Sequence, residues 1–164
     1  MSIYDSRQVT LRPALEADET FLLEVYADTR SDEMAQSGLD DAQRSAFIKL
    51  QFAAQQQHYR TYYPQGEHSL ILLNEKPAGR LYVARSPEEI RILDIALLAE
   101  HRCKGIGTRV IKDLMAESRK TGKPVRIYVE NFNRALRLFE RMGFSQVEEK
   151  GFHCLMQWQQ PIAE

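Results

Sequence analysis

At 164 residues with 43% hydrophobic side chains, the chain is long enough to bury one real core and short for two, so a single domain over residues 1–164 is expected. Its 22 Lys and Arg against 23 Asp and Glu leave a net charge of −1, which supplies no global field toward nucleic acid or an anionic membrane. No apolar run approaches bilayer-spanning length, residues 1–12 lack a signal-peptide core, and the two cysteines, Cys103 and Cys154, make no disulfide framework; a soluble cytoplasmic protein with reduced thiols is the expectation.

In chain order, residues 9–12 alternate as a short strand, interrupted by Pro13. A helix over 18–27 carries Phe21, Leu22, Val25 and Tyr26 on one side, and the polar stretch 29–38 reads as a loop. The next helix, 41–59, has Phe47, Leu50 and Ala54 on one stripe with Ile48, Phe52 and Tyr59 beside it, and Gln55-Gln56-Gln57 reads as a solvated face. Residues 69–73 and 79–84 form a hairpin turned through 74–77. The run 90–98 is almost continuously apolar, as a central strand covered on both faces would be, and Asp94 is its only charge past Arg91.

The next segment, Arg102-Cys103-Lys104-Gly105-Ile106-Gly107-Thr108, follows that strand and opens a strongly amphipathic helix. Ile106, Val110, Ile111, Leu114, Met115 and Ser118 share one face of it, and the helix ends near Gly122 and Pro124. Glycines at 105 and 107 allow positive φ or close approach, so several N–H groups can converge on a pyrophosphate, with Arg102 and Lys104 as cationic donors at the rim. The dinucleotide fingerprint fails because its third glycine falls on Val110, and no Gly-Lys-Ser/Thr with the P-loop spacer is present. An alternating strand over 125–129, a helix carrying Ala135, Leu138, Phe139 and Met142 and closing at Gly143, and strands over 145–149 and 152–158 complete a mixed α/β pattern.

Arg/Gln-x-x-Gly-x-Gly/Ala after a strand resembles the acetyl-coenzyme A signature of the GNAT N-acetyltransferase superfamily. The later run Asn133-Arg134-Ala135-Leu136-Arg137-Leu138-Phe139-Glu140-Arg141-Met142-Gly143-Phe144 is similar to that family's following helix and Gly-Phe exit. The resemblance covers about residues 8–158. It implies a mixed, mostly antiparallel central sheet of six to seven strands flanked by helices on both faces, and an acyltransferase that moves acetyl from acetyl-CoA to a primary amine by direct transfer in a ternary complex. It also implies that the backbone of Ile95, Ala96 and Leu97 pairs with the pantetheine arm and that Asn133 touches the pantetheine region, although Asn133 suits an N-cap equally.

Amine acetylation needs a held carrier, a neutral amine, oxyanion stabilisation and protonation of the leaving thiolate. Asp94 is the first choice for the base, because a carboxylate in an apolar strand is costly unless paired; a structural salt bridge to a neighbouring strand residue such as Arg80 or Arg91 is the competing reading and explains it somewhat better. Glu130 is the second choice, while His101 and His153 read as a solvent-facing loop residue and a structural strand residue. Phe139 stands where many family members have a proton-donating tyrosine, and either it packs to keep the pocket dry or Tyr128, Tyr82 or a water supplies the proton. Cys103 lies a pantetheine length from any thioester, which disfavours an acetyl-cysteine intermediate. The two cysteines and four histidines lack metal-ligand spacing. The acceptor, a small molecule or peptide amine, is expected against residues 26–63, and a homodimer through Phe152, Met156 and Trp158 is a further expectation. The rival from another class is an acyl-CoA-binding regulatory or interaction module with weak catalysis. An ATP or dinucleotide enzyme is disfavoured by the missing lysine and glycine.

Overall fold

The computed structural model describes residues 8–131, 133 and 135–161. Arg134, within the second motif, and most of the 1–12 segment lie outside the described residues. The elements are β1 (Val9–Pro13), α1 (Glu19–Thr29), α2 (Ser31–Ala35), α3 (Asp41–Tyr62), β2 (Glu67–Leu73), β3 (Lys76–Arg85), β4 (Ile90–Leu97), α4 (Ile106–Thr121), β5 (Val125–Glu130), α5 (Ala135–Arg141), β6 (Ser145–Lys150) and β7 (His153–Trp158). Seven strands form one mixed sheet in the order β1-β2-β3-β4-β5-β7-β6. Among the described residues no helix is long and apolar enough to cross a membrane.

The chain divides into two compact units, and β3, β4 and α4 each run through both. The first comprises residues up to Tyr82 with Asp94–Arg109. Its core gathers Leu22 and Tyr26 of α1, Met34 of α2, Ile48 and Phe52 of α3, and Leu70 and Leu72 of β2. β1 pairs antiparallel with β2 from Val9↔Leu73 to Pro13↔Ser69, so Pro13 ends the strand from within the ladder, as an edge position permits. α3 starts with a capping box in which Gln43 N–H donates to Asp40 Oδ1 at 2.8 Å and Asp40 N–H donates to Gln43 Oε1 at 3.0 Å. Of its two apolar stripes the one with Ile48 and Phe52 turns inward, and Phe47 and Leu50 are exposed. Residues 29–38, expected as a loop, contain the five-residue α2, which is held by the burial of Met34.

The second unit comprises Val83–Leu93 and the chain from Val110 onward. Its ladder pairs β4 parallel with β5 over Ile90↔Val125 to Ile92↔Ile127, then β5 antiparallel with β7, and β7 antiparallel with β6. Ile111, Leu114 and Met115 of α4 are buried with Ile90, Ile92, Val125 and Ile127. Arg85 forks onto Glu117 at 2.6 and 2.9 Å, and Ser118 Oγ donates to the Lys123 carbonyl to turn the chain into β5. Met156 and Trp158 are buried within this unit, so neither is available for the expected dimer contact; Phe152, 77% exposed, lies in the turn before β7 rather than in its pleat.

Candidate active site

β4 carries the chain into the glycine turn. Leu98 N–H donates to the Ala78 carbonyl at 2.9 Å, and Ala99 N–H donates to Asp28 Oδ2 at 2.8 Å, which fixes the strand exit against the end of α1. After a 3-10 turn over Ala99–His101, Arg102 is extended, Cys103 is left-handed at φ 61° and Gly105 at φ 86°, and α4 begins on the fully buried Ile106. A left-handed non-glycine residue costs roughly 1–2 kcal/mol, a strain that collects at sites where geometry is fixed for a purpose.

Arg109 N–H donates to the Gly105 carbonyl at 3.0 Å and closes the first turn, so the amides of Ile106, Gly107 and Thr108 point out along the helix axis. Among the described residues, a Cβ on Gly107 would meet nothing nearer than Leu97 Cδ1 at 3.9 Å, so protein packing does not demand glycine there. The open space over its Cα fits a pyrophosphate laid on the helix N-terminus. Arg102 turns Nε back onto the Leu97 carbonyl at 3.0 Å, which ties the turn to the end of β4; Arg102, Cys103 and Lys104 are all exposed. The turn, with Ile95, Ala96 and Leu97 just before it, thus lies within the first unit.

Asp94 lies in the same unit. Arg80 of β3, fully buried, donates from Nε to Asp94 Oδ2 at 2.6 Å, from Nη1 to Gln56 Oε1 at 3.3 Å, and from Nη2 to Gln55 Oε1. Of the two salt-bridge partners the sequence offers Asp94, Arg80 is the one used, whereas Arg91 forks onto Glu89 at 2.7 and 2.9 Å. Of the glutamine run expected as a solvated face, Gln57 is exposed, whereas Gln55 and Gln56 are half-buried and accept from this guanidinium. The Asp94 side chain remains 28% exposed and so stays within reach of a substrate.

Around this pair, Tyr82 stacks on His68 with centroids 4.5 Å apart and takes the edge of Tyr59 at 5.0 Å. Burial, and then the charge of Asp94, raises the Tyr59 phenol above its ordinary range. Burial, aided by the Arg80 charge, lowers His68 to about 4. His68 therefore stays neutral in the folded protein while its unfolded counterpart, near 6.5, takes up a proton. The unfolded state binds more protons between pH 6.5 and about 4, so stability falls through that window on acidification. In His68→Phe, thermal melts between pH 7 and 4 are expected to show a smaller loss of Tm than the wild type; parallel curves would remove His68 from the account.

His68, Gln56, Gln57, Arg60, Glu16 and Glu19 are among the residues lining a cavity of about 840 Å3 whose wall is otherwise largely apolar. Gln56 belongs both to this wall and to the Arg80 cluster. The sequence shows no local sign of the cavity, because its residues come from three separated segments. The legible trace of the cluster was the Asp94 carboxylate in the apolar run 90–98, with Arg80 as one of its two possible partners.

In the second unit, Asn133 Oδ1 accepts from Ala135 N–H at 2.9 Å, realising the cap and leaving Nδ2 as a donor. Glu130 accepts from Asn133 N–H at 2.9 Å through its backbone carbonyl. Tyr128 is 38% exposed, with the Arg91 guanidinium 4.9 Å from its ring centroid. Phe139, 2% exposed, packs edge-on to Phe144 at 5.1 Å. His153 is exposed in β7 opposite Glu130.

The chain matches the model of the acetyltransferase (GNAT) family over residues 22–144 and belongs to that family. Its structure is similar to the PaiA N-acetyltransferase of Thermoplasma acidophilum in complex with coenzyme A, with TM-score 0.70 and 16% identity, covering 93% of this chain and 99% of that one. An acetyltransferase from Thermus thermophilus gives TM-score 0.65 and 16% identity over 92% and 96% of the two chains. A GNAT family acetyltransferase from Elizabethkingia anophelis with acetyl-CoA bound gives TM-score 0.59 and 18% identity over 93% and 99%. At these identities the likeness is one of fold. Among curated proteins none matches the chain.

Proposed function

We propose that the protein is an acetyl-CoA-dependent N-acetyltransferase that acetylates a primary amine by direct transfer in a ternary complex. The observation that carries this reading is the glycine turn of a GNAT family member, with Gly105 left-handed, open space over Gly107 and a helix N-terminus directly after it. Structural neighbours in complex with coenzyme A and with acetyl-CoA support the choice of donor. The amides and cations of Arg102, Cys103, Lys104, Gly105, Ile106, Gly107 and Thr108 hold the pyrophosphate. The backbone of Ile95, Ala96 and Leu97 takes the pantetheine arm, and the family resemblance assigns Asn133 to the pantetheine region. Phe139 serves as an apolar wall.

The acceptor amine enters by the cavity that shares Gln56 with the Arg80–Asp94 pair. An alkyl ammonium with pKa ~10 must lose a proton before it attacks. Asp94 Oδ1, the oxygen left free of Arg80 Nε, accepts that proton directly or through a water. The amine nitrogen then bonds to the thioester carbon, the C–S bond breaks with the electron pair going to sulfur, and the nitrogen sheds its second proton to water or to the group that protonates the sulfur, leaving a neutral amide. A thiol of pKa ~8.5 leaves tolerably as thiolate, so the absence of a hydroxyl at Phe139 is bearable, and Tyr128, Tyr82 or water protonates the sulfur.

The test is thiol release from acetyl-CoA with a panel of small amines, amino acids and peptides. Asp94→Asn is expected to lower kcat by roughly 10²–10⁴-fold with acetyl-CoA affinity unchanged. Turnover at the wild-type rate in that variant would remove Asp94 as base. Phe139 favours one second reading, a weakly catalytic acyl-CoA-binding module, and tight acetyl-CoA binding without turnover of any amine would select it.

A further inference from the structure

We propose that Arg80 is the positioning residue of this acyltransferase, its guanidinium holding the Asp94 carboxylate in one orientation and locking it to the helix that walls the acceptor cavity. This rests on the reading of Asp94 as base. The two partners are buried unequally: the side chain of Arg80 is 1% exposed and that of Asp94 is 28%. A buried cation needs a partner, and partial hydration of that partner spares part of its desolvation cost; the same exposure leaves the carboxylate open to a substrate. Here the cation is sealed in while its partner faces outward.

The guanidinium also spreads its donors over two elements. Nε engages Asp94 Oδ2 of β4 at 2.6 Å, while Nη1 and Nη2 engage Gln56 and Gln55 of α3. Its Cζ stands 5.7 Å from the centroid of the Phe52 ring, so the plane is supported by an aromatic face as well. Two glutamine carbonyls pointing at one cation fix the rotation of the fork, and the fork fixes which carboxylate oxygen remains for the amine. Lysine would keep the charge and lose the planar, divided donor set. Since Gln56 lines the cavity, displacement of that wall is transmitted to Asp94 through one rigid group.

The test compares kcat, KM for an amine substrate and calorimetric acetyl-CoA affinity in the wild type, Arg80→Lys, Arg80→Ala, Gln55→Leu and Asp94→Asn. Misplacement of a reacting group by about 1 Å costs on the order of 10²-fold, so Arg80→Lys is expected to lose roughly ten- to a hundred-fold in kcat with acetyl-CoA affinity unchanged. Gln55→Leu, which leaves the ion pair intact, is expected to show a smaller loss of the same kind. Millimolar guanidinium is expected to restore part of the kcat of Arg80→Ala, whereas methylammonium at the same concentration restores none. Where Arg80→Ala does not fold, Arg80→Lys and Gln55→Leu decide. Wild-type kcat in both of these, or losses matched by equal losses of acetyl-CoA affinity, would overturn the proposal. A slow Asp94→Asn beside an unimpaired Arg80→Lys would refute the role of Arg80 alone, while a fast Asp94→Asn would refute the base reading and this proposal with it.

Discussion

Gly107→Glu is expected to cost acetyl-CoA affinity by roughly 10²-fold or more while leaving the protein at least as stable as the wild type. The two effects come from the same geometry and have opposite signs. Position 107 lies in the first turn of α4, where a carboxylate interacts favourably with the helix dipole by about 0.3–1 kcal/mol, and glutamate is a better helix former than glycine. Its Cβ would have room, since only Leu97 Cδ1 at 3.9 Å comes near. The carboxylate would project over the amides of Ile106, Gly107 and Thr108 and repel a pyrophosphate there, and like charges brought together in a site cost several kcal/mol, with about 1.4 kcal/mol equal to a factor of ten. Thermal melts and an acetyl-CoA titration on the same sample read both effects. Undiminished affinity in a folded Gly107→Glu would place the pyrophosphate elsewhere.

Gly79→Ala acts from the opposite direction, through the fold. A Cβ at Gly79 would stand 2.2 Å from the Ala96 carbonyl oxygen, 2.7 Å from Leu97 Cδ2 and 3.0 Å from Leu97 Cα. Two of those three atoms are backbone and cannot swing aside, so β4 must move. Overpacking of this kind costs about 1–3 kcal/mol. The strain falls on Ala96 and Leu97, between the Asp94 pair and the Leu98 to Ala78 hydrogen bond, in the segment assigned to the pantetheine arm. The expected result is a lower Tm together with roughly tenfold or greater weakening of acetyl-CoA binding, since the pantetheine segment is displaced with the strand. Loss of stability with full affinity would detach the Ile95–Leu97 backbone from the cofactor.

The parts of this site that a sequence encodes locally were legible in it. The glycine turn could be read because a helix start that admits a phosphate requires small or left-handed residues at fixed offsets, and positions 105 and 107 supply them. The amphipathic face of α4 and the apolar run of β4 follow from periodicity and composition. What failed was whatever depends on a distant partner. Gln55 and Gln56 look solvated until Arg80, 25 and 24 residues away, is folded against them. A five-residue helix such as α2 contains one buried apolar side chain, Met34, and one residue makes no period. Phe152 shares parity with Met156 and Trp158, yet β7 begins at His153, so the pleat that buries the other two does not extend to it. The pairing of Asp94 was open between Arg80 and Arg91 because its partner lies on another strand, 14 residues away; Arg91 is held instead by Glu89, two residues before it.

Donor binding at the 102–108 turn is the claim on which the other assignments depend, and a calorimetric titration of the purified protein with acetyl-CoA, with ATP and NAD as controls, tests it most directly. Saturable one-to-one binding of acetyl-CoA, with no comparable heat from either control, is the expected result. A folded sample that gives no heat with acetyl-CoA, or that binds ATP or NAD as tightly, would contradict it.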